Sequence, residues 1–210
     1  MADKIRLHNM ILHTKVLGPG IRCAIWLQGC QKRCKGCMSP SSRALDGGKL
    51  VDIKSVEDAI IQAGDIEGIT VSGGEPFLQV DALHSLLRFV KNETNLSVIV
   101  YSGYTLSELK AEKSPLIQEL LSKYIDVLID GEYVDELNKG KSLVGSENQT
   151  VHFLSDRYIN CRELYDSNTR DVEIFATGNE FLFVGIPDKE TYQKWTHTTD
   201  TALSDWKKIN

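Results

Sequence analysis

The chain has 210 residues, enough for one well-buried domain and short for two. Apolar residues make up 41% and charged residues 25%, a soluble globular balance, and 24 basic against 29 acidic residues leave a net charge of -5, which argues against a nucleic-acid surface. No apolar run approaches a membrane span, Met1 to Lys4 opens no signal-peptide core, and five cysteines with three clustered do not read as a disulfide framework, so a reducing cytoplasm is expected.

Residues 4–17 alternate loosely through Ile5, Leu7, Met10, Ile11 and Leu12 and predict a strand or hairpin arm, with His8 and His13 as surface or edge-strand histidines. Leu17-Gly18-Pro19-Gly20 is turn chemistry. Ile21 to Leu27 reads as a strand with Ile21, Cys23, Ile25 and Leu27 on one face, which makes Cys23 a small buried hydrophobe. At the end of this strand, Gln28 to Pro40 holds Cys30, Cys34 and Cys37 as a Cys-x3-Cys-x2-Cys triplet within eight residues. Thiolates this close select a soft or borderline metal: iron in a cluster, zinc or Cu(I). A cubane 4Fe-4S cluster or a structural zinc normally takes four protein ligands. Three leave one metal position for a substrate or cofactor, a distant residue, or water. A zinc site would have to find its fourth ligand in Cys23, Cys161 or a histidine, without the second Cys-x2-Cys pair such sites usually show.

Ser55 followed by Asp58 predicts a helix N-terminus, with Val56, Ala59, Ile60 and Ala63 as its apolar face. A short strand, Gly68 to Val71, ends in Ser72-Gly73-Gly74-Glu75-Pro76. An amphipathic helix over 80–92 follows, with Leu83, Leu86, Leu87 and Val90 inward and His84 facing solvent. Leu96 to Tyr101 is a buried strand running into Ser102-Gly103-Tyr104; Thr105 with Glu108 is a capping box, and Pro115 starts a further helix. Asp126 to Asp130 is the next strand. This alternation implies an α/β fold with a parallel sheet, in which functional groups collect at the carboxyl ends of the strands. The cysteine triplet, Gly73-Gly74-Glu75, Ser102 and Asp130 all fall on that edge.

Residues 135–148 are expected as an exposed loop, Gln149 to Leu154 as one more strand, and 155–170 as charged loop with Cys161 a bystander. Val172 to Phe175 and Glu180 to Val184 form a hairpin through Thr177-Gly178-Asn179. The tail, with Trp195 and Trp206, is expected to be a helix packed back on the domain. At the end of the Gly68–Val71 strand, Gly73 and Gly74 would let backbone come close to a ligand, where its amides and carbonyls can bond a polar group such as an α-ammonium. Alone, Gly-Gly-Glu-Pro reads as a turn.

The cysteine triplet followed by Gly73-Gly74-Glu75 resembles the radical S-adenosylmethionine (SAM) superfamily. A narrower resemblance runs in order through Gly20-Ile21-Arg22, Gly29-Cys30, Lys35-Gly36-Cys37, Ser72-Gly73-Gly74-Glu75-Pro76, Ser102-Gly103-Tyr104-Thr105, Asp126 to Gly131 and Gly145-Ser146-Glu147-Asn148-Gln149. Over roughly residues 5–155, this is similar to the anaerobic ribonucleotide reductase-activating proteins, relatives of the pyruvate formate-lyase activating enzymes. Three departures stand out: Gly36 where many superfamily members carry an aromatic, Val144 where the activators usually carry arginine, and Met38-Ser39-Pro40 after the third cysteine.

The resemblance implies a partial (β/α)6-type radical SAM barrel over residues 1–155, with a β-hairpin and helix extension over 156–210 packed on the same domain. It implies that Cys30, Cys34 and Cys37 hold a 4Fe-4S cluster whose free iron chelates SAM. Gly73, Gly74 and Glu75 would position the methionyl group, Ser102 would help fix it, and Asp130 would contact the ligand or a monovalent cation. The implied chemistry is reductive cleavage of SAM to a 5′-deoxyadenosyl radical that abstracts a hydrogen. The implied partners are a glycyl radical enzyme as protein substrate and a reductant such as flavodoxin or ferredoxin, with no nucleic acid and no membrane. So short a barrel would leave its site open on one side, for a macromolecular substrate to cover. The other readings are radical SAM modification of another protein, peptide or small molecule, and a non-catalytic zinc-binding module.

Overall fold

Short runs without polar alternation, such as Ser-Val-Ile-Val-Tyr-Ser at 97–102, set the architecture, because a strand covered on both faces needs apolar residues on both. The computed structural model describes residues 2–140, 143–167, 170–177 and 180–195. Its strands are β1 (Lys4–Thr14), β2 (Arg22–Leu27), β3 (Lys49–Asp52), β4 (Gly68–Gly73), β5 (Ser97–Ser102), β6 (Val127–Asp130), β7 (Thr150–Phe153), β8 (Val172–Thr177) and β9 (Glu180–Gly185). The first seven make one sheet in the order β3-β1-β2-β4-β5-β6-β7, and the last two make a hairpin.

Strands β2, β4, β5 and β6 pair in parallel, as the βαβ alternation requires. The flanks depart from that expectation. β1 and β3 add antiparallel pairs on one side and β7 an antiparallel pair on the other, so the sheet is mixed. It ends at β3 and β7 as two edges and does not close into a barrel.

Helices α1 (Ile53–Gln62), α2 (Val80–Glu93), α3 (Leu106–Ala111) and α4 (Pro115–Glu119) join the strands. α1 starts earlier than Ser55: Asp52, the last residue of β3, holds the cap position in extended backbone, and Ser55 lies inside the helix. On α2, Leu83, Leu86, Leu87 and Val90 are fully buried against the sheet. Burial of each such side chain contributes roughly 1.5–3 kcal/mol. His84 does not face solvent. It is buried, and its Nε2 lies 2.8 Å from Glu119 Oε2, because the α4 end packs over that side of α2. The capping box forms as expected, with Thr105 and Glu108 bonding each other's backbone.

The second face of the sheet is covered by chain that reads as loop. Asp156–Cys161 is a 3-10 segment and Glu163–Asp166 a short helix, and they bury Tyr158 and Tyr165 against Ile99, Val127 and Ile129. Cys161 packs at the margin of this group. The β8–β9 hairpin lays Phe175, Leu182 and Val184 against Val16, Leu17 and Ala24. Residues 189–195 are helical. The hairpin turn at Gly178 and Asn179, and the tail with Trp206, lie outside the described residues. Among those described, no helix is long and apolar enough to cross a membrane.

Candidate metal centre and cofactor cleft

Each parallel strand ends in a glycine-rich or polar turn at the same edge, and these turns border a cleft of about 430 Å³. The cysteine loop forms one wall. It is pinned at its base, where Gly29 N donates to Ser42 O (2.8 Å) and Cys30 N to Arg43 O (3.0 Å). Further along, Lys32 Nζ pairs with Glu132 Oε1 at 2.8 Å and stands 4.4 Å over the Tyr104 ring. Gly36 is left-handed (φ 73°), and a Cβ there would sit 2.9 Å from Asp135 Cγ, which is a physical reason for glycine before Cys37.

Cys30, Cys34 and Cys37 are free and half-buried, and all three line the cleft. Burial pushes the Cys30 and Cys34 thiols up, and the charge of Cys37 adds to that at both.

The end of β4 forms an adjoining wall. Gly73 is left-handed (φ 106°), and a Cβ on it would lie 2.4 Å from Leu27 O; one on Gly74 would lie 2.2 Å from Gly29 O. The close approach is cemented by Gly74 N donating to Leu27 O (2.7 Å) and Glu75 N to Gly29 O (2.8 Å). The two glycines thus join the strand end to the start of the cysteine loop.

The Glu75 side chain ties the next strand in. It is almost wholly buried, with Oε1 accepting from Phe77 N and Ser102 Oγ (both 3.0 Å) and Oε2 from Gly103 N (2.8 Å). Burial raises its carboxyl to about 6 against these donors. Gly73, Gly74, Glu75 and Ser102 line the same cleft as the cysteines. Asp130 is placed behind it. Its Oδ2 accepts from Leu106 N at the start of α3 and lies 2.9 Å from His152 Nε2, while Gly131 takes the lining position.

Several lining residues escape a reading of the sequence. Lys32 and Tyr133 are ordinary loop residues until the fold brings them to the cleft. The C-terminal segment adds Leu182, Phe183, Ile186, Pro187, Tyr192 and Trp195 as an apolar and aromatic wall. The available signal was the density of aromatics between 181 and 195. Val144 takes the place of the activators' usual arginine, yet a guanidinium reaches its carbonyl, because Arg170 Nη2 donates to Val144 O.

The donor set fits an iron–sulfur cluster. Thiolates are its natural ligands, and three of them share one wall of a half-buried cleft. Among the described residues no three His, Cys, Asp or Glu side chains are grouped to hold a single metal ion. A cluster distributes its thiolates over separate irons and makes no such demand.

Comparison with known proteins points the same way. The family described as a 4Fe-4S single cluster domain matches residues 16–152. The chain is similar to the anaerobic ribonucleoside-triphosphate reductase-activating protein of Vibrio cholerae, 35% identical over 148 residues, which are 65% of this chain and 90% of that protein. The protein of that name from Haemophilus influenzae is 36% identical over 147 residues (64% and 89%), and that of Escherichia coli K12 is 35% identical over 149 (66% and 92%).

Proposed function

The chain belongs to the 4Fe-4S single cluster domain family and is homologous to the anaerobic ribonucleoside-triphosphate reductase-activating proteins, and on that premise we propose that it is a radical SAM enzyme that generates a glycyl radical in a partner enzyme. The observation that carries this reading is the shared cleft. Three thiols of one loop and the Gly73-Gly74-Glu75 strand end line one space of about 430 Å³ at the carboxyl edge of the parallel strands. In this reading the finer fold is an open relative of the radical SAM barrel, and residues 156–210 are an extension of it.

Cys30, Cys34 and Cys37 hold the cluster. When bound there, such a cluster would supply the one-electron chemistry of reductive SAM cleavage, by which hydrogen would be taken from the partner. The protein's part is to orient and exclude. Gly73, Gly74 and Glu75 would hold the methionyl group, the glycines with their backbone and the Glu75 carboxylate with its negative charge for the ammonium. Ser102 and Gly103 hold the Glu75 carboxylate still. Asp130 acts from behind, fixing the turn between Ser102 and Leu106. A reductant such as flavodoxin or ferredoxin provides the electron, and the cytoplasm is its setting. A second reading, modification of a peptide or small molecule, draws on the C-terminal wall, which lies beyond the matched residues 16–152.

The test is anaerobic. After cluster reconstitution, dithionite and SAM are added and 5′-deoxyadenosine is assayed; brown colour with product is expected, and colourless protein without product would overturn the reading. Cys34→Ala should abolish both cluster and product, and normal cleavage without Cys34 would remove it from the ligand set. A rise in product with a glycyl radical partner, but not with peptides, separates the first reading from the second.

A further inference from the structure

The C-terminal segment is bolted to the cleft at both of its borders. One face of the hairpin is packed on Val16, Leu17 and Ala24, and the Glu173 carboxylate accepts from Thr14 Oγ1 and Lys15 N. Arg170 spans the seam. Its Nη1 donates to Asn138 Oδ1 (2.8 Å) and Pro187 O (3.0 Å), and its Nη2 to the Val144 and Gly145 carbonyls. Beyond Pro187, Lys189 Nζ pairs with Asp135 Oδ2 at 2.6 Å, and Asp135 is the residue packed against Gly36, next to Cys37. One turn further on, Tyr192 enters the cleft, with its backbone N bonded to Asp188 O (3.0 Å). Tyr192 and Cys37 line the same cleft.

We infer that residues 170–177 and 180–195 are a fixed wall of the radical site, in which Tyr192 covers the Cys37 side of the thiol loop and Arg170 is the positioning residue that joins this wall to the Val144–Gly145 turn. The inference rests on the function proposed above and deepens it. The wall excludes water and small reactants from one side of the thiols, so a substrate segment enters from the other side, across the strand ends. A reactive site at the edge of an open sheet needs such exclusion. Here the chain supplies it from residues outside the matched family stretch, 16–152.

The experiment uses the full, reduced, metal-free chain and times iodoacetamide labelling of each cysteine by mass spectrometry. Trypsin separates the three sites, because Lys32, Arg33 and Lys35 lie between them. Buried Cys23 reports folding, and half-buried Cys161, outside the cleft lining, is the reference. Tyr192→Ala and Arg170→Ala should each speed labelling of Cys37 several-fold while Cys34 and Cys161 keep their rates and Cys23 stays unlabelled. Tyr192→Phe, which keeps the ring, should restore the parent rate. An unchanged Cys37 rate in folded Tyr192→Ala, or an equal rise at all the half-buried cysteines, would overturn the inference. If Tyr192→Ala exposes Cys23, Arg170→Ala decides by the same criteria. Labelling needs no cluster, so failure of the wall and failure of the cluster reading, seen as no absorbance after reconstitution, remain distinct.

Discussion

The two ends of the parallel sheet are built to opposite rules. At the amino edge, polar groups are buried and satisfy one another. The Arg22 guanidinium, with no exposed surface, donates to Thr70 Oγ1 (2.7 Å), Ser97 Oγ (3.0 Å), Tyr158 OH (3.2 Å) and the carbonyls of Pro19 and Ile69. Tyr158 OH passes the connection to the Glu67 carboxylate at 2.8 Å. Asp126 does the same for β6, accepting from Val98 N (2.8 Å), Lys91 (2.9 Å) and Ser155 (2.6 Å). At the carboxyl edge, three thiols stand half-buried along a cleft and the strands end in glycines. The difference teaches where each role is carried. A network of buried, mutually bonded groups contributes stability, whereas an edge of half-buried thiols leaves groups for a ligand.

The comparison would break first at Arg22. Arg22→Ala removes a buried cation and leaves Thr70, Ser97 and Tyr158 without their shared donor. We expect it to lower the unfolding free energy of the metal-free chain by on the order of 4 kcal/mol, as for removal of one partner of a buried charged network. Urea denaturation measures this. A loss below about 1 kcal/mol, the scale of an exposed ion pair, would mean that the amino edge is not the anchor described here.

Gly73 comes next, on the opposite edge. A Cβ at φ 106° meets Leu27 O at 2.4 Å and Leu27 N at 2.5 Å, all backbone that cannot swing aside. Gly73→Ala should therefore cost on the order of 3 kcal/mol, from left-handed strain plus overlap. Unlike the change at Arg22, it should also part the β4 end from the cysteine loop. Labelling rates of Cys30 are expected to rise in Gly73→Ala and to stay at the parent value in folded Arg22→Ala.

The sequence showed the carboxyl edge far better than the amino edge, and the reason is local. Cys30, Cys34, Cys37 and the Gly73-Gly74-Glu75 turn are short-range patterns whose chemistry is visible in the residue types alone. Arg22 is not. On a strand whose inward face is Cys23, Ile25 and Leu27, it falls on the alternate face, and a charged residue there reads as exposed unless that face is known to be covered. The cover comes from Tyr158 and Tyr165, more than 130 residues away, in a segment whose charges read as loop. His84 misleads in the same way: its partner Glu119 is supplied by α4. The sheet that the alternation reads as parallel is mixed at this flank because β7 returns antiparallel, a pairing that no alternation pattern specifies.

The smallest expected effect lies at Glu75, where the two rules meet in one side chain. Its carboxyl is buried and fully hydrogen-bonded like the amino edge, yet it lines the cleft. Burial lifts its pKa from 4.5 to about 6, so between these values the folded chain binds more protons than the unfolded chain. Stability therefore falls as pH rises through that window. The penalty is absent below about 4.5 and complete above about 6, with a full size of about 2 kcal/mol. Glu75→Gln cannot ionise, and its amide would set a donor against Gly103 N, a loss that does not vary with pH. Urea titrations of both proteins at pH 4.5, 5.5 and 7 should show the stability of the parent chain, relative to Glu75→Gln, declining by about that amount. A flat difference would mean that the Glu75 carboxyl titrates alike in the folded and unfolded chains and carries no such penalty. The decline would give the carboxyl edge its meaning in the comparison: at neutral pH the fold holds a destabilised negative charge beside the thiols, and a cation entering the cleft would recover what the fold gives up there.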